Sequence, residues 1–139
     1  MDKGFVILEH PADLGIEARG VSLAGAFEEA ARGLMSVVLE LGSVDAREER
    51  EVSVSSADYE QLLVKWLSEV LYLYDGNRFV CREFHIDRIA PTGLHATVHG
   101  EPLDPAKHRT LLDVKAVTYH QLSIQENKDG AVVRVFLDI

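Results

Sequence analysis

The sequence predicts an α+β fold, a two-layer sandwich in which two main helices pack on a mainly antiparallel sheet. Three observations carry this reading. Apolar residues recur at helical spacing in two windows only, after Ser22 and after Asp58. From Phe79 onward the apolar period is mostly two, the period of strands with two unlike faces. The later strand segments follow one another through short turns, as antiparallel neighbours do.

The elements follow in order. Phe5–Leu8 (FVIL) is a short apolar run and reads as a strand. A turn at HPAD, residues 10–13, leads into IEARGV, which alternates and reads as a second strand. Ser22 is a suitable N-cap for a helix whose stripe runs from Leu23 through Phe27 and Leu34 to Val38, and Gly42 is placed to stop it. REVSVSS, residues 50–56, alternates and is a third strand. Asp58 with Gln61 three residues on resembles a capping box. The helix it opens carries Leu62, Leu63, Trp66, Leu67, Val70 and Leu71, a stripe broad enough to need a sheet beneath it, and ends near Tyr74 and Gly76. RFVCREFHIDRIA and GLHATVHGE are strands joined at Pro91-Thr92-Gly93. EPLDPAKHR is a loop rich in proline and charge. VKAVTYHQLSIQE and AVVRVFLDI form a hairpin over NKDG, whose glycine supplies a positive φ.

Composition bounds the function. The 139 residues suit one domain spanning 1–139, without repeat, linker or low-complexity tract. At 47% hydrophobic, the chain can build a core without staples. Cys81 is its single cysteine, so no internal disulfide forms, and a reducing compartment is expected. No segment has the layout of a signal peptide or the length of a membrane span, so a soluble, cytoplasmic protein with no membrane partner is expected. The formal net charge of −9 repels phosphate backbones, which disfavours direct nucleic-acid binding. It suits a cation or a basic protein partner, beside its ordinary role in solubility.

Few residues carry chemistry by themselves. Asp13 in its turn is either an aspartate capping its own backbone or a hard-cation ligand. Asp138 stands beside the α-carboxylate of Ile139, which gathers several oxygens in a small space of the kind Ca²⁺, Mg²⁺ or Mn²⁺ takes, unless it is simply a solvated chain end. His10 shares the short stretch of Asp13. His95 and His99 are four apart on a strand, roughly 13 Å at strand rise, too far for one zinc to hold both easily. Lys115 is either a snorkelling edge lysine or a cation aimed at a phosphate or a carboxylate. Strand alternation sets Lys115, Val117 and Tyr119 on one face and Ala116, Thr118 and His120 on the other. There is no nucleophile elbow, P-loop or dinucleotide fingerprint, so an independent enzyme is not the leading reading.

Four stretches in one order, HPADLGI near the start, LLVKWLSEVLY in the second helix, VKAVTYH before the last hairpin and FLDI at residues 136–139, resemble the archease family from end to end. The resemblance implies a protein cofactor of the RtcB-type RNA ligase of tRNA splicing and RNA repair. It would promote guanylylation of the ligase and so its repeated turnover, meeting GTP and RNA only through the ligase. It implies metal ligands at Asp13, Asp138 and Ile139, with Ca²⁺ the expected ion and Mg²⁺ or Mn²⁺ alternatives, and functional importance for Lys115 without metal ligation. Pro11 departs from the family pattern, where a threonine is expected, and removes a hydroxyl and a backbone donor beside Asp13. The rival readings are a general metal-binding chaperone or interaction module and, less favoured, a small metal-dependent hydrolase.

Overall fold

The computed structural model describes residues 3–9 and 13–139. Strands β1 (Gly4–Glu9) and β2 (Asp13–Gly20) lead into helix α1 (Leu23–Val38). A short 3₁₀ turn (Leu41–Ser43), strand β3 (Glu48–Ser55) and helix α2 (Tyr59–Asp75) follow. Strands β4 (Phe79–Ala90), β5 (Gly93–Pro102), β6 (Ala116–Asn127) and β7 (Gly130–Asp138) complete the order. The expected α+β architecture with antiparallel pairing is present. The strands form two sheets rather than one, ordered β1-β2-β7-β6 and β3-β5-β4. Between the last strand of one sheet and β6 of the other, the connecting segment pairs with the end of α1. Both helices pack against strands of both sheets, so one apolar core is shared.

Local chemistry explains the helix ends. The Ser22 side chain accepts from Gly25 N–H at 3.1 Å, the bond expected of an N-cap. Asp58 accepts from Gln61 N–H at 2.8 Å. Gln61 Oε1 reaches back to Ala57 N–H at 2.8 Å, one residue before the cap, so the box is shifted. Gly42 does not stop α1. The helix ends at Val38 because buried Leu39 turns extended and bridges Thr110, while Leu111 and Leu112 donate their N–H groups to the carbonyls of Val38 and Val37. Those bonds serve last-turn carbonyls that would otherwise lack partners. Trp66, fully buried, joins the layers: its Nε1–H donates to Phe27 O at 2.9 Å, and its ring meets Phe84 edge-on at 6.1 Å. Gly100 allows the close approach of β5 to β4, since any Cβ there would run into the Val80 carbonyl.

Strand β6 departs most from simple alternation. Thr118 pairs with Phe136 and Ser123 with Arg134, so β6 uses five steps where β7 uses two. Gln121 within this bulge adopts φ 51°, uncommon for a residue with a side chain. Lys115 lies just before the strand, Val117 is buried, and Tyr119 is 56% exposed. The face shared by Val117 and Tyr119 in a regular strand is therefore broken at the bulge. The NKDG turn is as expected, with Gly130 at φ 146°. No helix among the described residues is long and apolar enough to cross a membrane.

Candidate metal centre

The predicted ligands come from strands remote in sequence that become neighbours. β7 lies between β2 and β6, and its register sets Asp138 directly opposite Asp13 on β2 and Ala116 on β6. Directly opposed residues of an antiparallel pair project to the same face, with Cβ atoms about 5 Å apart. Behind them Leu14, Leu137 and Val117 are paired and buried, an apolar floor under a polar end. Asp13 is half-buried and Asp138 exposed. Like charges directly opposed destabilise a sheet end, and a cation between them reverses the sign. Lys115 N–H donates to Asp138 O at 2.7 Å, which ties the VKAVTYH segment to the same corner. Ile139 follows, 38% exposed.

Asp13, Asp138, Ile139 and the Lys115 backbone are thus brought to one end of the four-stranded sheet. Beta strand β2 begins at Asp13, so this residue opens a strand instead of sitting in mid-turn. His10 lies outside the described residues, as does Pro11 with the loss it implies. The donor set is all oxygen, which fits a hard cation and not zinc. No group of three or more His, Cys, Asp or Glu side chains among the described residues is arranged to hold a metal. Two carboxylates alone make an incomplete site; a further oxygen donor, such as the α-carboxylate of Ile139, would have to complete it.

A second acidic centre was not visible in the sequence. Glu101, 2% exposed, accepts from Asp45 N–H at 2.9 Å, Arg47 Nε at 2.9 Å and Lys107 Nζ at 2.8 Å. Asp104 N–H donates to His108 Nδ1 at 2.9 Å, which leaves the proton on Nε2 to donate to Glu101 at 2.8 Å. The Asp45 N–H foremost, then Lys107, His108 and Arg47, hold the Glu101 carboxyl far below the usual range, against the opposing effect of burial. The only sequence signal was a glutamate at the end of the alternating strand GLHATVHGE, with Lys107 and His108 six and seven residues later.

The histidines of β5 are engaged by carboxylates. His95 Nδ1 lies 2.8 Å from Asp87 and Nε2 3.2 Å from Glu51, on the strands either side. His99 lies 3.4 Å from Glu49. Burial pushes the Cys81 thiol up to about 12. A cleft of about 580 Å³ lies toward the far end of β1, where Glu29 is neutralised by Arg32 at 2.9 Å and Lys3 at 3.8 Å and Glu28 accepts from Ile86 N–H. Its two glutamates from α1 are thus engaged within the protein, and none of its lining residues belongs to the carboxylate pair.

Fold and site together define a small α+β protein with an acidic sheet end. The chain belongs to the archease family: the model of the archease protein family (MTH1598/TM1083) matches residues 5–139. It is 37% identical over 141 residues to protein archease of Methanosarcina acetivorans, covering 99% of this chain and 97% of the relative. It is 41% identical over 126 residues to that of Pyrococcus abyssi, covering 88% of each. The solution structure of Methanobacterium thermoautotrophicum protein 1598 superimposes with a TM-score of 0.79 at 34% identity, over 99% of this chain and 100% of that one. The crystal structure of an archease, possible chaperone, from Thermotoga maritima shares the fold, with a TM-score of 0.61 at 22% identity over 100% of this chain and 98% of its own.

Proposed function

We propose that this chain is the protein cofactor of an RtcB-type RNA ligase, and that its acidic sheet end holds a divalent cation, Ca²⁺ foremost, through Asp13, Asp138 and the α-carboxylate of Ile139. The observation that carries the reading is the register of β2 on β7, which opposes Asp13 and Asp138 at the corner where Lys115 is tied. The partner is the one that the family resemblance implies. A bound ion there compensates phosphate charge. The chain's own residues do the rest. The β2–β7 register sets the two carboxylate residues opposite each other, the Lys115–Asp138 backbone bond fixes the corner, and the buried leucine pair behind it keeps the end from fraying. The chain enters the mouth of the ligase and promotes its guanylylation; GTP and RNA are handled by the ligase.

The test is RNA ligation with limiting cognate ligase, GTP and Mn²⁺, with and without the chain. Wild type is expected to convert a single round into many. Asp138→Asn, at an exposed position, is expected to keep its fold and lose the stimulation. Full stimulation by the folded variant removes the carboxylate site from the mechanism. A second reading, a general metal-binding chaperone, is favoured by the description of the Thermotoga maritima relative as a possible chaperone. It predicts suppression of aggregation of unrelated clients, independent of GTP.

A further inference from the structure

Beside the carboxylate pair lies a surface that the metal reading does not use. Tyr72, in the last turn of α2, is 56% exposed. It lines a cleft of about 270 Å³ with Ser68, Asp75 and Lys115, over an apolar floor of Leu71 and Val117. Val117 pairs with Leu137, one residue before Asp138, so this cleft adjoins the acidic corner. Four residues beyond Lys115 stands Tyr119, also 56% exposed. Its position follows from the bulge of β6, the edge strand of its sheet.

This bulge is held in place. Thr118 Oγ1 donates to Phe136 O at 3.0 Å, His120 N–H donates to Thr118 Oγ1 at 3.2 Å, and the His120 ring meets Phe136 edge-on at 6.2 Å. Gln121 keeps a left-handed backbone inside it. Bulges re-aim side chains beside functional sites, and strain persists where surrounding contacts impose it. Two large aromatic side chains held in water next to a built corner are the composition of an interface anchor.

Charge selects the occupant. Asp75 lines the cleft with the single cation Lys115 among the described lining residues, Asp138 pairs with the lining residue Ala116, and Asp13 pairs with Asp138 in turn, in a chain of net charge −9. A nucleic acid is repelled by that balance, and a basic protein surface is attracted. An enzyme that holds RNA and GTP carries such a surface around its substrates. We propose that Tyr72 and Tyr119 are the anchors by which this chain docks on the basic rim of its ligase, a role separate from that of the carboxylates inside the mouth. This rests on the ligase reading above.

The experiment titrates the chain into ligation with limiting ligase and reads two quantities, the half-saturating concentration and the plateau. Tyr72→Ser and Tyr119→Ser are each expected to raise the half-saturating concentration about tenfold or more, as truncated anchors do, with the plateau unchanged. Asp138→Asn is expected to lower the plateau and leave half-saturation alone. Both tyrosines are exposed, so thermal melting should be unmoved in each variant. If wild type stimulates and both tyrosine variants titrate like it, the docking surface is wrong while the ligase reading stands. A drop in plateau instead of a shift in half-saturation also overturns it. Binding of a fluorescent RNA by the chain alone, lost in the tyrosine variants, reassigns the surface to RNA and overturns it too. If wild type does not stimulate its own ligase, the ligase reading falls and takes this inference with it.

Discussion

Two acidic centres in this molecule were built by opposite rules. Glu101 is buried and meets a backbone N–H, an arginine, a lysine and a histidine. Its bonds fasten segment 45–47 and segment 104–108 to the end of β5. Asp13 and Asp138 are opposed to each other at a half-open strand end. The first arrangement leaves a carboxylate nothing further to bind, whereas the second is the place where we propose that a cation binds. The contrast teaches that acidity alone does not mark a binding site: what surrounds each carboxylate separates a structural centre from a proposed one.

The largest effect expected from this contrast is on stability at Glu101. Glu101→Ala strands buried donors, and we expect a loss of about 3 kcal/mol in urea unfolding. A loss close to zero would mean that water replaces the carboxylate freely and that the centre is not structural. At the sheet end the sign differs. In chelator-treated buffer Asp138→Asn should be neutral or stabilising by about 0.5 kcal/mol, because one of two opposed charges is removed. Ca²⁺ at a hundredfold excess over its dissociation constant should then stabilise wild type by about 2.7 kcal/mol, and neither Asp13→Asn nor Asp138→Asn to that extent. Equal melting shifts in all three chains would locate the ion elsewhere.

The smallest effect belongs to a third carboxylate arrangement that sharpens the comparison, the surface triad of Asp87, His95 and Glu51. The Asp87 hydrogen bond foremost, with Glu51, holds His95 above its ordinary value near 6.5. A histidine raised in the folded state contributes fully below about pH 6.5, and the contribution disappears as pH rises through the raised value. Asp87 is lowered, chiefly by His95, so its share is present above about pH 3.9 and is lost as pH falls through its depressed value. The urea midpoint difference between wild type and His95→Gln should therefore be larger at pH 5.5 than at pH 8.5. A difference constant across that range would show that the triad does not act through charge.

The fold was legible wherever the determining chemistry is local. Ser22 and Asp58 cap the helices they precede because a side-chain oxygen needs only the next turn of backbone. Gly130 turns the last hairpin by equally local means, since a residue without a Cβ takes φ 146° freely. Gly42 misled, because α1 is ended by Thr110 and Leu111, partners that no local window contains. The β6 bulge was hidden because TYHQLSI alternates adequately as a plain strand; only its pairing with β7 exposes the extra residues. Of the site, Asp13 and Asp138 were named through a family resemblance, and the β2–β7 register then set them opposite each other. Glu101 and His108 escaped notice because Arg47 and Asp45, which define their surroundings, stand 54 and 56 positions away from Glu101.

The position of β7 between β2 and β6 has a consequence for how the chain is made. Among the strands of the described residues, β7 is the last to leave the ribosome, yet it is an inner strand of the four-stranded sheet. Until it emerges, the β1–β2 hairpin and β6 have no ladder in common, and Asp13 has nothing opposite it. The acidic corner is therefore assembled only when synthesis has passed Asp138. A chain interrupted earlier exposes two unpaired strand edges to the quality-control machinery of the cell.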